Sequence, residues 1–219
     1  VVLSASLVGM YRVPVPDAGN LTGIGGITAI DDDPVAALQQ VVELDADPLI
    51  SAQQAVQVQK DIENKLSPVI FGDSVVLSAR DSLRDVVGKI SIDAAVSRQP
   101  DAIAQRIRIR REEKRLGPDV IIHMGTNGLV QESELKTILD ELSDRNRVVV
   151  VNVRVPRVWM NPTNETIANL VAQYPNARLA DWNSISKGKK GYFAPDGVHL
   201  TKSGADAFGN LIDETLLGP

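Results

Sequence analysis

The sequence predicts a three-layer α/β/α sandwich built on a five-stranded parallel sheet for residues 67–219. Three observations predict it. Short apolar runs rich in Val and Ile alternate with longer helical stretches from Pro68 onward. Those runs lack the in–out polarity of half-solvated strands, as expected where helices cover both faces of a parallel sheet. Charge also divides the chain: residues 1–66 carry nine acidic and three basic side chains (net −6), residues 67–219 nineteen and twenty (net +1). That asymmetry marks two regions of different character.

The elements follow in order. Val69-Ile70-Phe71 is a first strand, and a helix follows over about 75–87. KISIDA over 89–94 is a second strand, and a polar helix spans about 101–115 until Gly117-Pro118 breaks it. VIIH over 120–123 is a buried strand, with a helix over 132–142 behind it. The β-branched run 148–153 is a fourth strand, 165–173 a helix, 177–180 a short fifth strand and 202–216 the last helix. Strand–helix–strand repeats of this kind connect through right-handed crossovers. In such sheets, sites form outside the carboxyl ends of the strands. Ser74, Asn127 and the turn after Ala94 all fall there.

Residues 12–34 (RVPVPDAGNLTGIGGITAIDDDP) read as irregular linker. Asp33-Pro34 opens a helical stretch, and 51–65 (SAQQAVQVQKDIENK) is a second helix with a serine cap. Residues 1–66 are thus an acidic tether with short helices, and 67–219 the domain that carries the sheet. The mostly apolar 1–11 (VVLSASLVGMY) reads as a packed strand, a boundary, or the stub of a membrane helix.

Composition excludes several classes. The chain has 219 residues, 43% hydrophobic content and net charge −5, which argues against nucleic acid as a partner. Without cysteine there are no disulfides, thiolate metal sites or cysteine nucleophiles. Two histidines 76 positions apart do not make an imidazole-rich metal cluster. Neither a phosphate-cradling GxxxxGK[ST] nor a dinucleotide GxGxxG is present. No metal and no cofactor are expected.

The chemistry lies in three loops. Ser74 follows Gly72-Asp73 at a strand-to-helix turn, where it serves either as a helix N-cap or as a nucleophile facing the crevice. His199 lies in Gly-Val-His-Leu-Thr before the last helix, three residues after Asp196. That spacing lets Asp196 reach His199 Nδ1 across a tight turn and leaves Nε2 for a serine; the alternative is an ordinary turn beside a surface histidine. The other histidine, His123, sits inside the VIIH strand and reads as a hydrogen-bonded core residue. In Gly125-Thr126-Asn127-Gly128, Asn127 is either a turn residue or a donor to a developing oxyanion.

Gly-Asp-Ser, Gly-Thr-Asn-Gly and Asp-x-x-His, in this order and spacing, resemble the first, third and fifth sequence blocks of the SGNH (GDSL-like) hydrolase superfamily. The resemblance covers about 68–219. It implies a flavodoxin-like SGNH fold, Ser74 as nucleophile, Asp196 and His199 as its partners, and an oxyanion hole from the Ser74 N–H and Asn127. The second block departs: Arg98, in Asp93-Ala-Ala-Val-Ser97-Arg98-Gln99, stands where many members carry the glycine that completes the oxyanion hole. A backbone N–H of Arg98 or a neighbour would then serve. With Val-Asn-Val-Arg-Val-Pro-Arg and Trp159, that stretch is similar to the extracytoplasmic SGNH domains of acyltransferase-3 membrane proteins, the OatA-type peptidoglycan O-acetyltransferases among them.

The resemblance implies a bacterial, extracytoplasmic serine O-acetyltransferase acting on a cell-envelope glycan or glycolipid. Its acetyl donor would be presented by a membrane acyltransferase-3 domain, the full-length protein being membrane-anchored. Arg154 and Arg157 either steer an anionic or polyhydroxylated acceptor or cap the sheet edge, and Trp159 would stack on a sugar. The RIRIRREEKR stretch over 106–115 reads as a solvated face, and KGKK over 187–190 as a solvated loop. Two other functions stay open: a carbohydrate or lipid esterase with the same triad, and a non-catalytic glycan-binding module of a membrane acyltransferase.

Overall fold

The computed structural model describes residues 52–58 and 65–218. Residues 52–58 are helical, inside the second helix expected of the tether; the expected strand or stub at 1–11, the linker 12–34, the helix opening at Asp33-Pro34 and the Ser51 cap lie outside the described residues.

Five parallel strands run in the order β2-β1-β3-β4-β5: β1 (Val69–Gly72), β2 (Ser91–Ala94), β3 (Asp119–His123), β4 (Arg147–Val151) and β5 (Ala177–Ala180). Around them lie α1 (Ser74–Ser78), α2 (Arg80–Val87), α3 (Pro100–Glu112), α4 (Glu132–Glu141), α5 (Met160–Val171), α6 (Trp182–Ser186) and α7 (Lys202–Leu217). Alternate strand residues feed two cores. Val69, Phe71, Val120, Ile122, Val148 and Val150 pack under α3, α4 and α5. Ile70, Ile121, Val149 and Val151 pack with α1, α2 and α7 on the other face. Both faces are covered, which is why the strands read as unbroken apolar runs. This is the predicted three-layer α/β/α sandwich. Strand order reverses between β1 and β3, so the crevice at their carboxyl ends is the expected ligand position.

Four elements differ from the sequence expectation. The helix expected over 75–87 is two, broken at Ala79 (φ −95°, ψ 1°). Ser78 Oγ there donates to the Val75 carbonyl (2.7 Å) and accepts from Leu200 N–H (3.2 Å), competing with the helix ladder. Strand β2 starts at Ser91 rather than 89, because Gly88 turns at φ 76° and pairing begins where Ser91 N–H reaches the Pro68 carbonyl (2.8 Å). Helix α5 starts at Met160, five residues early, since Pro162 falls in its first turn, where the missing N–H has no cost. Helix α6, capped by Asp181 accepting from Ser184 N–H (3.1 Å), was not expected.

Candidate active site

Strand β1 and helix α1 build the first part of the site. Gly72 fits closely there: a Cβ would lie 2.3 Å from Val76 Cγ2, so any side chain would have to displace the Val76 side chain of α1. Asp73, fully buried, caps α1 by accepting from Val75 N–H (2.9 Å). The capping role considered for Ser74 therefore belongs to Asp73. Ser74, half-buried, is left with its hydroxyl 2.9 Å from His199 Nε2.

The last loop supplies the partner. Ala194 N–H donates to the His199 carbonyl (2.7 Å) and Phe193 bridges Leu200, fixing the loop's base. Gly197, at φ 70°, closes the turn in a left-handed conformation that a side chain would strain. Asp196 then turns inward: Oδ1 accepts from Val198 N–H (2.9 Å) and His199 N–H (3.0 Å), and Oδ2 lies 2.6 Å from His199 Nδ1. The hydrogen bond from His199, with that from Val198 N–H, holds the Asp196 carboxyl down to about 2, so it is an anion at neutral pH. With Nδ1–H donated to this anion, Nε2 presents its lone pair to Ser74 O–H. Ser74, His199 and Asp196 form one hydrogen-bonded line across 125 residues of chain.

The β3 loop forms the facing wall. Gly125 adopts φ 105°, and a Cβ there would lie 2.6 Å from Thr163 Cγ2, so the turn needs glycine on both counts. Asn127 donates one amide N–H to Asp73 Oδ2 at a long 3.4 Å, leaving its second N–H for the crevice. Burial pushes the Asp73 carboxyl up. The nearby His123 imidazole, Val75 N–H and the Thr126 hydroxyl outweigh that and hold it below the ordinary aspartate value. His123 is a core residue as expected, edge-on to Phe208 (5.6 Å), but not through the expected hydrogen bond at Nδ1, which stands 3.4 Å from Asp73 Oδ1 with no hydrogen-bond partner among the described residues.

No protein-family model matches the chain. Over 141 residues, 64% of this chain, it is 43% identical to peptidoglycan O-acetyltransferase OatA of Listeria monocytogenes serovar 1/2a, covering 22% of that protein. The chain spans about a quarter of the length of the curated relatives it matches. The C-terminal catalytic domain of Streptococcus pneumoniae OatA, solved with a methylsulfonyl adduct, superposes with a TM-score of 0.63 at 22% identity, over 69% of this chain and 92% of that one. The chain shares its fold with solved structures of SGNH-hydrolase and GDSL-like type. The family 3 carbohydrate esterase of Clostridium thermocellum shares the fold, with a TM-score of 0.57 at 16% identity, over 70% of this chain and 96% of that one.

The stretch expected to stand for the second block, 93–99, turns back on β2. Ser97 takes a left-handed conformation (φ 58°) and Arg98 folds back on β2, its Nη1 donating to Asp93 Oδ1 (2.8 Å) and to the Asp93 carbonyl (2.5 Å). Arg106 and Arg110 of α3 reach the same carboxylate (2.9 and 3.1 Å). The solvated face expected over 106–115 is thus partly correct: Arg108 and Arg111 pair with Glu141 and Asp144, while Arg106 and Arg110, one turn apart, reach Asp93, and Arg110 is mostly buried. The Arg98 backbone N–H makes a long contact to the Ala95 carbonyl (3.4 Å). The neighbouring Gln99 side chain faces Gly128 across the crevice, Oε1 lying 3.6 Å from where a Cβ would begin.

The remaining predicted residues lie along the β4 end but do not converge. Arg154 is half-buried and donates to Asn183 Oδ1 of α6 (3.0 Å). Arg157 is exposed, its guanidinium against the Pro156 carbonyl (3.2 Å). Trp159 spends its indole N–H on the Gly125 carbonyl (3.0 Å) and so braces the loop carrying Asn127. Asp73 is the residue sequence reasoning passed over. The available signal was its side-chain type directly before a helix, the position a cap prefers.

Proposed function

We propose that this chain carries an SGNH serine O-acetyltransferase that acts on an extracytoplasmic cell-envelope glycan through an acetyl-Ser74 intermediate. The carrying observation is the hydrogen-bonded line Ser74–His199–Asp196, at 2.9 and 2.6 Å. His199 Nε2 takes the hydroxyl proton as Ser74 Oγ attacks the acetyl carbonyl, and Asp196 stabilises the imidazolium. The oxyanion is met by the Ser74 N–H, the free Asn127 amide N–H and a backbone N–H of the Arg98 stretch. Collapse expels the donor's leaving group, which carries off the proton from His199. An acceptor sugar hydroxyl then gives its proton to His199, attacks the acetyl carbon and regenerates Ser74.

Arg154 and Arg157 receive the acceptor, and Trp159 supplies a sugar-facing edge. Residues 67–219 form the catalytic domain and 1–66 a tether to a membrane acyltransferase-3 domain that presents the donor. No helix among the described residues is long and apolar enough to cross a membrane. Similarity to a peptidoglycan O-acetyltransferase supports the glycan acceptor and the envelope location.

One observation favours a second reading. The His199 and Asp196 side chains are 45% and 48% exposed, so water reaches the base readily, and with water as acceptor the same residues make an esterase. The aligned triad supports either enzyme over a passive glycan-binding module. The test is Ser74→Ala assayed on p-nitrophenyl acetate, with and without glycan acceptors, products weighed by mass spectrometry. Abolished turnover and a Ser74-dependent acetylated glycan support the proposal. Full activity of the variant overturns the nucleophile, and free acetate alone with every acceptor overturns transfer.

A further inference from the structure

Beside the triad a cavity of about 280 Å3 opens between the segment after β4 and the loop after α6. Arg154, Pro156 and Met160 form one wall, and Lys189, Lys190 and Phe193 the other. Gly197 closes the third side. A Gly197 Cβ would lie 3.5 Å from Pro156 Cγ, so the turn holding Asp196 and His199 packs directly on the cavity wall. A molecule seated here lies against the catalytic turn.

The charges of this cavity are unbalanced. Arg154, Lys189 and Lys190 line it, and no carboxylate does. Lys187 and Arg157 adjoin these residues in sequence and are exposed. Among the described residues none of these five cations pairs with a carboxylate; Arg154 meets only the neutral Asn183 amide oxygen. Asp196 is the nearest acid in the loop, and both its oxygens are engaged by the His199 turn. A chain of net charge −5 has therefore gathered uncompensated positive charge at one place beside its triad. A cleft lined by one sign of charge concentrates ligands of the other.

The hydrogen-bonding inventory narrows the ligand further. Arg and Lys side chains only donate, so a ligand must bring acceptors, and an anion fits better than a neutral hydroxyl array. Pro156, Met160 and Phe193 add an apolar surface suited to the C–H face of a sugar ring. We propose that this cavity is the acceptor subsite and that it selects an acidic glycan, one whose sugar carries a carboxylate or phosphate near the hydroxyl to be acylated. The inference rests on the acyl-transfer reading and adds the acceptor's charge to it.

The experiment measures binding apart from chemistry, on the full chain carrying Ser74→Ala. Calorimetry at low ionic strength compares two matched pairs: chitotetraose with hyaluronan tetrasaccharide, and maltotriose with maltotriose phosphate. Each acidic member binds about tenfold tighter than its neutral counterpart, the sum expected from two or three exposed ion pairs. Raising salt to 0.5 M erases the preference, because exposed charges are then screened. Lys189→Glu/Lys190→Glu erases it too, thermal melting of the variant serving as the control for folding. The hyaluronan and phosphate arms separate carboxylate from phosphate recognition. Equal binding within both pairs, or a preference that survives salt and the double variant, overturns the proposal. Neither result touches the Ser74 assay, so failure here and failure of the acyl-transfer reading are distinguishable.

Discussion

Replacing Asp73 by asparagine tests whether the buried carboxylate behind Ser74 holds Asn127 in the position proposed for an oxyanion donor. The change keeps shape and removes one charge. Oδ1 still accepts from Val75 N–H, so the α1 cap at 2.9 Å survives. The second atom becomes an NH2 facing the Asn127 amide, until now a donor to Asp73 Oδ2 at 3.4 Å, and two donors confront each other. Hydrogen bonds to a buried charge contribute about 1.5–3 kcal/mol each, and this one is long. With the loss of charge opposite His123 and Thr126, the stability cost is about 2–4 kcal/mol. For a domain of this size that lowers Tm by roughly 5–15 °C.

Asn127, released, no longer aims its free N–H. Deleting one oxyanion donor costs about 10²–10³ in kcat, so misplacing one costs roughly 10–100-fold. The assays are thermal unfolding and p-nitrophenyl acetate hydrolysis on Asp73→Asn, Asn127→Ala and the double variant. If Asp73 acts through Asn127, the double variant is no slower than Asn127→Ala. Multiplicative losses, or a single variant within threefold of the parent in kcat, refute the reasoning. The pH dependence gives an independent check. The folded Asp73 carboxyl lies below its unfolded value of about 3.9, so its contribution is complete above that pH and is lost as pH falls through the folded value. Asp73→Asn therefore flattens the acid limb of stability.

Asp196→Asn leaves the half-exposed turn folded but presents the wrong partner to His199 Nδ1, and kcat falls about 10⁴-fold; a loss under tenfold in steady-state kinetics contradicts the triad. Because the Asp196 carboxyl sits at about 2, it stays charged through any practical assay, and an activity profile with an acid midpoint near 4 assigned to it by that variant contradicts the geometry. Asp93→Asn strands Arg98 and Arg110, whose side chains are 10% and 13% exposed, and lowers urea-unfolding stability by about 3–5 kcal/mol; an unchanged midpoint refutes a structural role for the cluster.

The sheet, its parallel direction and the contact between Asp196 and His199 were legible because each rests on local pattern. Val148 to Val151 is a β-branched run, and it is a strand buried on both faces. Asp196 and His199 are three residues apart, so one turn decides their contact. What stayed hidden depends on distant partners. Ser78 breaks the first helix because Leu200 comes to it from 122 residues away. Arg106 and Arg110 read as surface charges, and the Arg98 side chain had no assigned partner, until the fold brings Asp93 beneath all three. Helix α6 was missed because Trp-Asn-Ser-Ile-Ser is too short to show a period. Pro162 concealed the first turn of α5, since proline signals a helix start as readily as a stop.

The pairing of the first helices with the last sets when the protein becomes competent. Ser82 donates to Asp206 (2.7 Å), Gly209 lies close against the Ser82 backbone, and Ser78 holds Leu200 beside His199. A chain emerging from the ribosome exposes Ser74 well before His199 exists. At ~5–20 residues per second the 125 intervening residues take roughly 6–25 s to make. Through that interval the hydroxyl has no imidazole beside it, and it gains one only when α7 docks on α2. The contact between Ser74 and His199 is thus completed only after the helix that follows His199 has been made and docked.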